Sequence, residues 1–241
     1  SQYVCPKITE ITECGDGGID GYTTYQLSLV VKNDNVKNIY AIYGDDQNQE
    51  YPLNVPPAYQ GETIFNNNIG GINPQLININ SDARFDSWLT ISLTDGDPDN
   101  KLSAIGIDFN SWTSDQGIYT TNGAVFVMNP EEIITTQDEY IVAQLTIPND
   151  LSYEVTMNAQ GKKINFNSDI SRDSSWSQEN IIFNISPPQV INVDMIPNNC
   201  RSWYDGCNTC SVTNGKMGAC TRMMCFRNDN SRCLSFNVNG H

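Results

Sequence analysis

Apolar and polar residues alternate along most of this chain. Tyr25, Leu27, Leu29 and Val31 are interleaved with Gln26, Ser28 and Val30, the period of two that buries one face of a β-strand. Similar short runs follow at Lys37–Tyr43, Trp88–Leu93, Ile105–Phe109, Ala124–Met128, Tyr140–Ile147, Tyr153–Met157, Lys163–Phe166, Ile181–Ile185 and Val190–Ile196. They are rich in Ile, Val, Tyr and Phe, and clusters of Gly, Pro, Asn and Asp separate them. Asn122-Gly123 is the strongest tight-turn signal between two such runs. No segment combines a sustained helical period with a cap and a closing glycine. The pattern predicts an all-β protein, an antiparallel β-sandwich of jelly-roll type, because many short strands at this spacing must each bury one face. Ser168–Asn180 is polar and reads as a long loop or seam, and Pro187-Pro188 breaks the chain before the last strand. The four glycines of Gly15–Gly21 precede no strand-to-helix pattern, so they read as a connector and not a phosphate loop.

After Pro197-Asn198-Asn199 the composition changes. Six of the eight cysteines fall in the last 42 residues, at Cys200, Cys207, Cys210, Cys220, Cys225 and Cys233. So polar a stretch has too little apolar surface to fold on a core alone, and cysteines this dense imply a disulfide-stapled module in an oxidising compartment. Two domains are expected: an acidic sandwich over residues 1–199 and a cysteine-rich module over residues 200–241. Charge divides the chain at the same place. The module holds five basic and two acidic residues, for +3, and the remainder holds 8 basic and 26 acidic, for −18. An acidic body repels nucleic acid and anionic membranes, whereas a cationic tail on an anionic body favours contact between copies.

No stretch approaches the ~20 apolar residues of a spanning helix, so no membrane span is expected. There is no charged-then-apolar leader, and with the cysteines this predicts a secreted, mature chain. The single histidine is His241, at an end too frayed to hold an imidazole between two partners. That argues against Ser-His-Asp, Cys-His and histidine-zinc chemistry. Carboxylate-pair catalysis remains, but with 28 acids no pair can be picked from sequence. The chain is expected not to be an enzyme.

Several residues are candidates for binding or modification. Asp95, Asp97 and Asp99 stand at alternate positions, as carboxylates do at the start of a calcium loop. The sixth and twelfth positions are Asn100 and Gly106, so an EF-hand is excluded; a looser calcium site helped by Asp108 stands against a plain acidic turn. Asn184-Ile-Ser186 is the only glycosylation sequon, with Pro187 directly after it. Trp88, Trp112 and Trp176 are set either to stack on sugars or to fill the core. Cys5 and Cys14, nine positions apart, are placed to close a small loop. Cys207/Cys210 is the only C-x-x-C pair, which argues for disulfides over zinc.

The segment from Cys200 to Cys225 resembles the pacifastin-type serine-protease inhibitors. Shared are Cys207-Asn208-Thr209-Cys210, the turn at Asn214-Gly215, and Cys220-Thr221-x-x-x-Cys225. The resemblance implies Cys207–Cys225 and Cys210–Cys220 bridges and a reactive bond just after the Cys-Thr pair. Arg222 would then enter a trypsin-like pocket, with Met223 following it. The chain departs from the family in having Val212 where the family has a cysteine and in a shorter gap between Cys200 and Cys207. Cys233, outside the pattern, is expected to pair with Cys200.

A second resemblance rests on Tyr25-Gln-Leu, Ile42-Tyr43-Gly44, Asp86-Ser-Trp88-Leu-Thr-Ile91 and Val142-Ala-Gln144-Leu-Thr146. These look like a pattern in large secreted or surface proteins of marine algae, their viruses and microbes, which implies a location and not an activity. The favoured expectation is an extracellular structural protein that packs with copies of itself or another cell- or virion-surface protein, with the module as a locking contact. The alternative is an inhibitor of a trypsin-like protease, and the third is a glycan-binding surface protein. No cofactor is expected apart from the calcium considered above.

Overall fold

The computed structural model describes residues 2–12, 18–47, 51–61, 68–130, 137–149, 151–164, 175–186, 196–222 and 231–236. The chain divides into two compact units, Ser1–Pro187 and Pro188–His241. The division lies twelve residues before the composition change because Ile196 belongs to the core of the second unit, beside Cys200, Trp203 and Val212. The expected strand at Val190–Ile196 lies outside the described residues apart from Ile196.

The first unit is an all-β, two-sheet antiparallel sandwich. One sheet has the order β1 (Val4–Thr12), β2 (Tyr22–Val31), β9 (Glu139–Pro148), β5 (Trp88–Leu89). The other centres on β10 (Tyr153–Lys162). One edge of β10 takes β11 (Ser175–Ile185), and the other takes both β3 (Ala41–Tyr43) and β4 (Leu53–Val55). Beyond β3 lie β8 (Ala124–Val127) and β6 (Leu102–Ile105), and beyond β4 lies β7 (Ile118–Thr120). Tyr25, Leu27 and Leu29 from β2 share one core with Leu145 of β9, Ile42 of β3 and Val155 and Met157 of β10. The alternation read from the sequence is therefore the inward face of the first sheet.

The strands differ from the expected runs where polar side chains do backbone work. In Ser168–Asn180, expected as a loop, the described part Ser175–Asn180 is strand and begins β11. Its outward residues are polar, but Trp176 turns inward, stacks on Tyr3 with ring centroids 5.1 Å apart, and donates Nε1–H to Asn38 O at 3.2 Å. Gly161 faces Trp176 across β10, and a Cβ there would come within 2.6 Å of the indole nitrogen. Gln178, on the same strand, reaches the edge of β1: its Oε1 accepts from Tyr3 N–H at 2.8 Å and Val4 N–H at 3.0 Å, and its Nε2 donates to Val4 O at 2.9 Å. One amide thus replaces a strand partner.

Other expectations fail for similar local reasons. Ile105–Phe109 is not a strand, because Gly106 turns the chain with φ +68 and Asp108 caps a short 3₁₀ turn over Phe109–Ser111. Lys37–Tyr43 shortens to β3, since Asn38 spends its amide on Lys162 N–H and Pro130 O. Asn122-Gly123 is no hairpin: β7 pairs with β4, whereas β8 pairs with β3 and β6. The hairpin of type I′ character is at Asn214-Gly215, where φ is +51 and +71. The one α-helix among the described residues, α1 (Pro74–Ile79), begins with proline after the capping side chain of Asn73.

The second unit is a four-stranded antiparallel sheet of order β14 (Lys216–Cys220), β13 (Thr209–Thr213), β12 (Cys200–Tyr204), β15 (Arg232–Phe236). Among the described residues its core cluster is Ile196, Cys200, Trp203 and Val212, with Met217 and Cys233 packed against it. Disulfides supply what this core lacks. Cys200–Cys233 ties β12 to β15, and Cys210–Cys220 joins opposed positions of β13 and β14. Cys207 is also disulfide-bonded, and its expected partner Cys225 lies outside the described residues.

Truncating Gln178→Ala strands two N–H groups and a carbonyl at the edge of β1. We expect a loss of about 1–3 kcal/mol in denaturant unfolding. A midpoint unchanged from wild type would show that water replaces the amide at no cost.

Candidate functional site

Most of the candidate residues are occupied by the fold. Asp97 Oδ1 accepts from Lys101 N–H and its Oδ2 from Leu102 N–H, both at 2.8 Å. Asp95 Oδ1 accepts from Asp97 N–H at 3.3 Å, and Asp99 pairs with Lys101 Nζ at 2.7 Å. These carboxylates build a tight turn instead of converging on a cation. Among the described residues, no group of three or more His, Cys, Asp or Glu side chains is placed to hold a metal. The calcium expectation for Asp95, Asp97 and Asp99 is corrected accordingly.

Trp88, Trp112 and Trp176 are 3%, 2% and 2% exposed, so none offers a face to a sugar. The glycan-stacking expectation falls with them. Asn184 is exposed on β11. The expected Cys5–Cys14 bridge is not made: Cys5 carries a free thiol, and Cys14 lies outside the described residues. The reason is geometric. Cys5 to Thr12 is continuous strand, about 23 Å long at ~3.3 Å per residue. Two further residues cannot return to the roughly 6 Å Cα separation of a disulfide.

One titratable group stands out that the sequence did not reveal. Asp86, 1% exposed, accepts at Oδ1 from Gly61 N–H at 2.8 Å and Ser87 N–H at 3.1 Å. Burial pushes its carboxyl up to about 6, against the lowering effect of these two donors. The surrounding groups are structural. Gln144 of β9 donates to Arg84 O and Asp86 O, and Thr146 N–H donates to Ser87 Oγ. The segments around Tyr25, Trp88 and Gln144 are thus neighbouring strands of one sheet. The Trp88 and Gln144 segments share the hydrogen bonds that dock β5 on β9. The segment Ile42-Tyr43-Gly44 packs in the opposite sheet, where a Cβ on Gly44 would strike Thr120 O.

The exposed, organised segment is Thr221–Arg222, just after β14. Thr221 N–H donates to Thr209 O at 3.0 Å, and Thr209 N–H donates back to Thr221 Oγ1 at 3.0 Å. The same hydroxyl donates to Asn208 Oδ1 at 3.4 Å. Only a hydroxyl can accept from one neighbour and donate to the next at this position. The Cys210–Cys220 bridge anchors the residue before Thr221. Arg222 follows, exposed and with no hydrogen-bond or ion-pair partner among the described residues. Met223 lies outside them.

Among protein-family models, curated proteins and solved structures, none matches the chain. Nor is any helix among the described residues long and apolar enough to cross a membrane.

Two of the sequence elements behind the inhibitor resemblance, Asn208-Thr209-Cys210 and Cys220-Thr221, meet in space. Asn208, Thr209, Cys210, Cys220 and Thr221 form one braced corner beneath Arg222. Val212, standing where the family has a cysteine, is buried against Trp203, so packing holds that place in the module.

Asp86 gives a pH signature. Its folded-state value of about 6 lies above the ordinary 3.8, so its contribution is full below about pH 4 and is lost as pH rises through 6. The loss amounts to about 3 kcal/mol between those limits. Asp86→Asn should flatten this part of the stability curve and raise the unfolding midpoint at pH 7 above wild type. An Asn variant that keeps the wild-type slope between pH 4 and 6 would assign the slope elsewhere. Glu139, held low by the hydrogen bond from Lys7, acts with the opposite sign and at lower pH.

Proposed function

We propose that this is a non-enzymatic extracellular protein whose disulfide-bonded module presents Arg222 to a trypsin-like serine protease, as an inhibitor. The single observation behind this reading is the braced corner: an exposed arginine directly follows Thr221, which is held by three hydrogen bonds and comes straight after the disulfide-bonded Cys220. Such a protease offers a pocket floored by a carboxylate, which pairs with a guanidinium through charge-assisted hydrogen bonds. A segment already held in its bound shape gives up little conformational entropy on docking, so binding is tight. Disulfides favour a location outside the cell, secreted or on a cell or virion surface.

A second reading has its own support. β14 and β15 are the outer strands of the module sheet, and Leu234 and Phe236 on β15 are 47% and 53% exposed. Open edges with apolar residues are places where another chain adds. In this reading the chain is a structural subunit of a surface assembly, filament or adhesive layer, and the cationic module locks onto the acidic body of a second copy. An N-glycan on Asn184 fits either reading.

Titration of trypsin with the intact chain tests the first. We expect stoichiometric loss of activity, abolished by Arg222→Ala and retained by Arg222→Lys; no inhibition at micromolar protein would end it. Sedimentation velocity tests the second. Assembly should grow with concentration and weaken as salt screens the opposed charges, whereas a monomer under all conditions excludes it.

A further inference from the structure

We propose that Asp205 is the positioning residue of the contact segment: its carboxylate fixes the backbone of Asn208, and Asn208 in turn meets the Thr221 hydroxyl beneath Arg222. The proposal rests on the reading of Thr221–Arg222 as the contact segment, and it adds a residue outside the elements that resemble the inhibitor family.

Asp205 directly follows β12, and Gly206 behind it takes φ +110, so the chain reverses at once. Asp205 Oδ1 accepts from Cys207 N–H at 2.9 Å and from Asn208 N–H at 2.6 Å. Its own N–H donates to Asn208 O at 3.0 Å. Both backbone polar groups of Asn208 are therefore held by one residue. With its backbone held on both sides, the Asn208 side chain has few ways to leave Thr221 Oγ1, and that hydroxyl stays aligned with Thr209 N–H. Asp205 Oδ2 lies 4.0 Å from Cys210 Sγ, so the carboxylate also abuts the bridge that anchors Cys220. Two N–H donors on one oxygen suit an ionised acceptor, whose hydrogen bonds are about twice as strong as neutral ones.

A residue that only formed the turn would change the turn and leave Thr221 alone. A positioning residue transmits its loss to Thr221 across β13. The test uses the intact chain and two variants. Asp205→Ala removes the acceptor, and Asp205→Asn keeps an oxygen in the same place. Amide exchange by NMR reads Thr221 directly. We expect Thr221 and Thr209 amides in Asp205→Ala to exchange about tenfold faster, the cost of roughly one such hydrogen bond, while Trp203 and Val212 keep wild-type protection. In Asp205→Asn they should stay within about threefold of wild type. Trypsin binding should weaken in the same order, with faster cleavage after Arg222 in the alanine variant. Unchanged exchange at Thr221 in Asp205→Ala overturns the proposal, and so does an asparagine variant as fast as alanine. If the wild-type chain fails to bind trypsin, the inhibitor reading fails, and the exchange comparison still decides the role of Asp205.

Discussion

Every backbone N–H and C=O that leaves water must find a partner, and in this protein amide and carboxylate side chains supply many of the partners that short, interrupted strands cannot. Asn158 shows the rule most fully. It sits at the irregularity between β10 and β11, donates to Tyr43 O and Tyr51 O, and accepts from Asn180 N–H. Gln178 does the same for the edge of β1, Asn38 for Lys162, and Gln144 for the segment leading into β5. An unpaired buried group costs about 1–3 kcal/mol, comparable to burying a large apolar side chain, so these contacts decide where strands can stop.

The cysteine-rich module meets the same constraint with fewer resources. The core cluster of the described residues is small, and disulfides limit the unfolded chain while hydrogen bonds set local geometry. The division of labour is clean. Cys200–Cys233 joins β15 to the sheet, Val212 and Trp203 fill its buried face, and Cys210–Cys220 holds the hairpin that ends at Thr221. Asp205, Asn208 and Thr221 then form a short polar chain at the exposed corner. Arg222 follows Cys220 and Thr221 in this braced stretch and is exposed. That combination of a rigid base and an exposed charged tip suits recognition better than folding.

Much of the fold was legible. Period-two patterning located β2, β8 and β9, because a strand that buries one face must alternate, and the cysteine density marked out the module. Polar strands were not legible. β11 reads as a loop from Ser175 to Asn180 because its outward residues are polar and its inward Gln178 is hydrogen-bonded instead of buried in oil. β7 and β4 are three residues each, below the length at which alternation is detectable. At the candidate site, the inhibitor resemblance implied Arg222 and Met223, and the latter lies outside the described residues. Asp205 carried no signal, since an aspartate before glycine is the commonest form of an ordinary turn.

The sequence by itself determined the β class and the stapled module, because alternation and cysteine density depend only on near neighbours in the chain. Tertiary structure decided which carboxylates were spent. Asp97 closes a turn, Asp86 is buried against Gly61 and Ser87, and Asp205 steadies Asn208, although the three look alike in sequence. The tryptophans were decided in the same way, each taken into the core by neighbours distant in sequence. Hydrogen-bond satisfaction and burial are properties of what the folded chain brings together, and no local pattern records them.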